Sequence, residues 1–157
     1  MKKILIALSA LTALLSSPAM VQGADPLMFG GKAGFFKPDG PGSDNGFSVG
    51  GVLGKRIQGN VSWEAELNLA IIDGEVGTNT DYEINSIAGY AVYRTEGNTH
   101  LKAKMGVGYW DDDFDNDFSL TMGIGLGFRM GRGILDVEYT QINDSVDYVT
   151  VGYILPF

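Results

Sequence analysis

Hydrophobic residues recur at every second position along much of the chain. The clearest run spans residues 118–128, and similar alternation covers residues 61–71, 101–109 and 149–157. Successive side chains of a strand point to opposite faces, whereas successive residues of a helix lie about 100° apart. The pattern therefore predicts long strands, each with one apolar face.

With weaker segments included, the pattern predicts eight strands. They lie near residues 28–37, 46–57, 60–72, 82–94, 99–110, 117–130, 134–143 and 147–157. These strands are longer than the typical ~5–6 residues of globular sheets. They reach the ~9–11 residues that a tilted strand needs to cross the bilayer core.

The predicted connections alternate in length and charge. Tight turns containing Gly are expected around 58–60, 96–98 and 131–133, whereas the connections at 38–45, 73–81, 111–116 and 144–146 are mostly longer and all acidic. An even number of strands, with short turns at one end and longer loops at the other, is typical of a transmembrane β-barrel. The sequence therefore predicts an all-β, eight-stranded antiparallel up-and-down barrel.

Charged residues also occupy the polar face of the predicted strands. Since an eight-stranded barrel is just wide enough to be filled by side chains, paired charges are expected to fill its interior, beside glycines such as Gly106 and Gly123. A soluble sheet with a charged face remains the alternative at this point. The predicted interior charges are Lys32, Arg56, Glu64, Glu66, Glu83, Lys102, Lys104, Arg129, Asp136 and Glu138.

The densest group of acids lies in one predicted loop: Asp111, Asp112, Asp113, Asp115 and Asp117. Carboxylates at alternate positions suit Ca²⁺, but the EF-hand pattern would need Gly and Glu where Phe118 and Ile124 stand. We therefore expect a solvated acidic surface loop and no specific metal site. Loose bridging by divalent cations to lipopolysaccharide is a further hypothesis.

The N-terminus has the pattern of a secretory signal peptide. Lys2 and Lys3 precede an apolar run over residues 4–15, and small residues follow it. We predict a signal peptide over residues 1–23 and the barrel domain over residues 24–157. The apolar run is too short for a membrane-spanning helix, which needs about 20 residues.

Aromatic residues near the predicted strand ends suggest the girdles that flank the apolar belt of a membrane barrel. They are Trp63, Tyr90, Tyr109, Trp110, Phe128, Tyr139, Tyr153 and Phe157. The final strand also has apolar residues at every second position up to a terminal aromatic residue: Val149, Val151, Tyr153, Leu155 and Phe157. This ending resembles the terminal assembly signal of bacterial outer-membrane barrels.

With its signal peptide and eight-strand layout, the chain resembles the small outer-membrane barrels of the OmpA-type and opacity-type superfamily. The resemblance implies a monomer in contact with outer-membrane lipid and lipopolysaccharide, inserted by the barrel-assembly machinery with periplasmic chaperones. A soluble lipocalin-like barrel is the structural alternative, although the first strand lacks that family's Gly-x-Trp.

Composition excludes several functions. A net charge of -8 argues against nucleic-acid binding, and the absence of Cys excludes thiolate chemistry. The single histidine, His100, is expected at a short turn, away from the outer leaflet, so we expect neither catalysis nor a cofactor. The sequence favours a structural or surface-interaction, adhesin-like role. A narrow channel or small-ligand-binding barrel is the alternative.

Overall fold

Eight long strands and a short hairpin account for most of the residues that the computed structural model describes, which are 27–38, 43–76, 80–112, 116–142 and 146–156. No helix within these ranges is long and apolar enough to cross a membrane. The strands are β1 (Leu27–Pro38), β2 (Gly46–Gln58), β3 (Val61–Ile72), β4 (Gly74–Val76), β5 (Thr80–Tyr82), β6 (Ile84–Arg94), β7 (Thr99–Asp112), β8 (Asn116–Met130), β9 (Gly133–Ile142) and β10 (Val146–Pro156).

The eight long strands form a closed antiparallel barrel in the order β1-β10-β9-β8-β7-β6-β3-β2. The ring closes where β1 pairs with β10, with Ala33 opposite Val151. On its other side, β1 pairs with β2, with Ala33 opposite Val49. Closure leaves no unpaired sheet edge to face lipid. The predicted eight-stranded up-and-down barrel is confirmed.

Glycines form the short turns at one end of the barrel. Gly59, Gly97 and Gly131 have φ angles of 54°, 123° and 61°, in the region that other residues rarely adopt. By the usual layout of membrane barrels, this end faces the periplasm and the longer loops face outward. We call the two ends the inner end and the outer end.

One outer connection contains structure that the alternation did not predict. Between β3 and β6, strands β4 and β5 form a two-stranded hairpin in which Gly74 lies opposite Tyr82. Each strand has only three residues, which is too short for an alternating pattern to stand out from a loop. The connection predicted at 73–81 therefore contains a short hairpin that the sequence pattern did not reveal.

The outward face of the barrel is apolar along the strands. Large hydrophobic side chains remain exposed there, including Leu101 at 61% and Ile124 at 67%. In a soluble protein such a continuous surface would be unusual, whereas in a membrane barrel it contacts lipid. Two of the predicted girdle residues do not belong to this face: Tyr90 and Trp110 are 4% and 7% exposed and point into the barrel.

Candidate functional site

The middle of the barrel holds a network of buried ion pairs. It contains four cations and four carboxylates, so its formal charge is balanced. We call it the charge network; its members are Lys32, Arg94, Lys102, Lys104, Glu64, Glu66, Asp136 and Glu138. The strands β1, β3, β6, β7 and β9 each contribute inward-facing residues to it.

Glu138 joins three lysines from two strands. Its carboxylate oxygens lie 2.7 Å from the Nζ of Lys102, 2.8 Å from that of Lys104 and 3.4 Å from that of Lys32. Glu66 provides a second acceptor for Lys32 and Lys104, at 2.9 and 2.8 Å. Each lysine therefore meets more than one carboxylate, which offsets part of the cost of removing its charge from water.

Nearer the inner end, Lys102 and Arg94 share two further carboxylates. Lys102 Nζ lies 2.7 Å from Glu64 and 3.3 Å from Asp136. Arg94 forms ion pairs with the same two residues, and its Nη1 donates to Ser62 Oγ at 3.1 Å. The sequence interpretation missed Arg94, which it placed at the end of the predicted strand 82–94, beside a short turn. Arg94 is the last residue of β6, and its side chain points into the barrel like those of Val92 and Tyr90.

Three predicted interior charges lie outside the charge network. Arg56 and Arg129 are exposed and line a cavity at the inner end. Both stand at inward-facing positions of their strands, as expected, but they lie too near the strand ends to reach the charge network. Glu83 lies between β5 and β6 at the outer end, where its carboxylate accepts a hydrogen bond from Asn85 Nδ2 at 2.5 Å. For these three residues, the expectation of interior pairing was wrong.

Glycines on neighbouring strands give the long charged side chains their space. Lys32 is opposite Gly50 on one side and Gly152 on the other, whereas Lys104 and Glu138 are opposite Gly123 and Gly125. A Cβ at Gly125 would lie 3.0 Å from Glu138 Cγ, and one at Gly123 would lie 2.9 Å from Lys104 Cε. Placing Gly beside these three long side chains helps a narrow barrel to hold eight charges.

The outer end of the lumen is filled by apolar side chains, which sequence reasoning missed. The rings of Phe36 and Tyr148 stack with centroids 5.6 Å apart. Trp110 Nε1 donates to Ser119 Oγ at 2.6 Å, so its one polar atom is satisfied. We call this cluster the outer plug; its members are Phe36, Ile84, Trp110, Ile142, Val146 and Tyr148.

The inner end of the lumen opens into a cavity of about 350 Å³, which we call the inner cavity. Residues from the ends of seven strands and from two turns line it, among them Arg56, Arg94, His100 and Arg129. The side chain of His100 is buried and faces inward at the start of β7. It lies at the short-turn end, where the sequence placed it.

Some predicted residues lie outside the described ranges. These are the predicted signal peptide, Asp113, Asp115 and Phe157. Strand β7 extends to Asp112 and β8 begins at Asn116, so Asp111, Asp112 and Asp117 of the predicted acidic loop stand in strands at the outer end. Across the described part of the chain, no group of three or more His, Asp or Glu is arranged to hold a metal ion.

The described part of the terminal strand has the expected alternation. Val149, Val151 and Tyr153 are exposed on the outward face, and Leu155 is half-exposed. Their neighbours Thr150, Gly152 and Ile154 are buried. The role of this strand as an assembly signal remains a prediction.

Solved structures with the same fold include proteins of different origin. Neisserial surface protein A matches with a TM-score of 0.63 at 20% identity, covering 87% of this chain and 100% of that one. The attachment invasion locus protein of Yersinia pestis matches with a TM-score of 0.58 at 15% identity, covering 84% and 99%. A de novo designed transmembrane β-barrel matches with a TM-score of 0.60 at 19% identity, covering 88% and 100%.

These likenesses establish the fold and leave the function open, since a designed barrel matches about as well as the natural ones. No curated protein sequence matches the chain. The family model of the outer membrane protein beta-barrel domain matches residues 7–152, nearly the whole chain. The chain therefore belongs to the outer membrane protein beta-barrel domain family, and the bacterial outer membrane is its location.

Proposed function

We propose that this protein is a surface-interaction barrel, adhesin-like in role, that presents its acidic outer loops while the barrel serves as a rigid anchor. The filling of the lumen is the observation that carries this proposal. The outer plug and the charge network occupy successive levels of the same interior. A solute would have to displace both, so the outer loops are the surface best suited to a function.

The acidic character of those loops suggests the kind of surface they meet. Asp113 and Asp115 belong to the connection between β7 and β8, and Asp111, Asp112 and Asp117 belong to the strand ends that flank it. Divalent cations bridging these carboxylates to the phosphates of lipopolysaccharide would stabilise the loop at the membrane surface. The two natural barrels described above are named for the cell surface and for attachment, which supports a role of the same type.

The same proposal includes a monomeric state, an absence of catalysis, and insertion by the barrel-assembly machinery with periplasmic chaperones. His100 supports the absence of lipid-directed catalysis because it is buried at the inner end. The apolar outer face of the described strands supports the monomer, since lipid can cover it.

Cells that express the protein test this role directly. We expect Ca²⁺-dependent adhesion to lipopolysaccharide-coated surfaces, and we expect it to fall at least severalfold when Asp111, Asp113 and Asp115 are changed together to Asn. The comparison variant changes three acids in or beside the other outer connections, Asp44, Asp73 and Asp147, to Asn, and a smaller loss of adhesion there would assign the effect to the loop between β7 and β8. Equal adhesion by the loop variant and the wild type would refute the proposal.

Conductance separates this role from the alternative of a narrow channel. The purified protein, reconstituted in planar bilayers, is expected to give no stable single-channel current. A reproducible, ion-selective conductance would instead show that the charge network opens, and would favour transport. Heat-dependent gel mobility, which reports a folded barrel, is the control for correct reconstitution.

A further inference from the structure

The inner cavity has more positive than negative charge on its wall. Arg56, Arg94 and Arg129 line it, opposed by the single carboxylate of Glu96. Arg94 already pairs with Glu64 and Asp136 behind the wall. Arg56 and Arg129 form no ion pair with any residue in the described ranges, so their guanidinium groups are available to a ligand.

His100 supplies a second and independent observation. Its side chain is 5% exposed, it lines the inner cavity, and its Nε2 has no hydrogen-bond partner among the described residues. Asp136 Oδ1, which also has no hydrogen-bond partner among the described residues, is 3.8 Å away, beyond hydrogen-bond distance. Arg94 Nε is likewise buried without a partner in the described structure. Buried polar atoms of native proteins are nearly always satisfied, and both nitrogens can donate a hydrogen bond to an acceptor that enters the cavity.

We propose that the inner cavity binds a small oxyanion, with phosphate as the representative ligand. Arg56 and Arg129 contact it from the exposed rim, and Arg94 and His100 contact it from the buried wall. Guanidinium groups match phosphate oxygens with paired, charge-assisted hydrogen bonds. A concave site lined by cations also concentrates anions from solution.

Phosphate can reach this site from two sources. It can be free in the periplasm, or it can belong to a lipid headgroup in the adjoining leaflet. In both cases the recognised chemistry is the same. The site lies at the opposite end of the barrel from the acidic loops, so its failure would leave the surface-interaction proposal intact.

Calorimetric titration of inorganic phosphate into the purified protein, held in a phosphate-free maltoside detergent, tests the site. We expect saturable binding to one site per barrel. The double variant Arg56→Gln/Arg129→Gln should bind at least about tenfold more weakly, the factor expected for losing one charged hydrogen bond. The control is Arg132→Gln, which removes one positive charge, against two in the double variant, from a neighbouring turn outside the cavity wall.

Two results would overturn the proposal. One is the absence of saturable binding to the wild-type protein. The other is an equal loss of affinity in Arg132→Gln, which would indicate general attraction to a basic rim. Heat-dependent gel mobility checks that each variant is folded. If the double variant does not fold, Arg129→Lys keeps the charge but loses the planar group, and weaker binding is again expected.

Repeating the titration in nanodiscs of phosphatidylcholine distinguishes the two sources. Unchanged phosphate affinity identifies free phosphate as the ligand. Weaker apparent affinity, restored to the detergent value by added maltoside, shows that headgroups compete for the site. A loss of all binding in both media after His100→Phe, with the fold retained, would assign the buried wall to the same site.

Discussion

The outer plug and the charge network fill the same lumen with opposite chemistry. On β1, Lys32 of the network is followed by Phe36 of the plug, about 13 Å farther along the strand. On β9, Glu138 is followed in the same way by Ile142. The strands and the inward phase are shared, so the difference lies in the side chains alone.

Because of this difference, the stability of the two regions should respond to different kinds of substitution. The charge network depends on the balance of its four cations and four carboxylates, so losing one member leaves an uncompensated charge. The outer plug depends on shape and volume, so losing atoms leaves a void. Substitutions in each region can separate these two modes of filling.

The largest effect is expected from Glu138→Gln. This change keeps the shape of the side chain but removes the carboxylate that meets Lys32, Lys102 and Lys104. Breaking a buried pair by removing one partner costs about 3–5 kcal/mol. The free energy of unfolding, measured by urea titration in lipid vesicles, should fall by about that amount.

A second substitution tests whether charge balance is the cause of this loss. Glu138→Gln combined with Lys104→Met leaves three cations and three carboxylates in the network, and we expect it to recover part of the lost stability. Glu83→Gln, at the outer end, is the control for loss of an acid outside the network. A double variant less stable than Glu138→Gln would show that local packing matters more than charge balance.

Phe36→Ala is expected to have the next largest effect. Phe36 is fully buried and stacks on Tyr148. Removing a buried aromatic ring leaves a cavity and costs about 3 kcal/mol. The control is Phe35→Ala on the opposite face, where lipid fills the space; the loss there is the transfer free energy of the ring, about 2 kcal/mol, together with its edge-on contact with Phe47. Equal losses in the same unfolding measurement would mean that the plug is not tightly packed.

The sequence predicted the charge network better than the outer plug, for a physical reason. Lys102 and Lys104 interrupt an otherwise apolar run, so their inward direction is visible from alternation. Ile84 lies on β6 and Trp110 on β7. Both are apolar, and the outward face of each strand is apolar too, so alternation cannot reveal which way they point. Residues at strand ends are equally ambiguous, and Arg94 was missed for that reason.

The inner cavity could not be predicted from the sequence either. Arg56, Arg129 and His100 belong to three different strands, and their convergence depends on the register and closure of the barrel. Alternation gives the face of each residue but not its level along the barrel axis. The eight strands and their approximate limits needed only local pattern, which explains why they were predicted correctly.

Two glycines test whether small residues make room for the charge network inside the barrel. Gly125 faces inward, where an added Cβ would lie 2.7 Å from the carbonyl oxygen of Val137 and 3.0 Å from Glu138 Cγ. Gly89 is exposed, and an added Cβ there would meet nothing within 4 Å. Both stand in long strands, so their conformational cost in the unfolded chain is similar.

Gly125→Ala should therefore lower the free energy of unfolding by about 1–3 kcal/mol, the usual cost of overpacking. Gly89→Ala should leave it unchanged or raise it by up to about 1 kcal/mol, because Ala restricts the unfolded chain more than Gly does. The same urea titration measures both. Equal effects would mean that the inward glycines do not make room for the charges, and the balance of the network would then have to be explained by charge pairing alone.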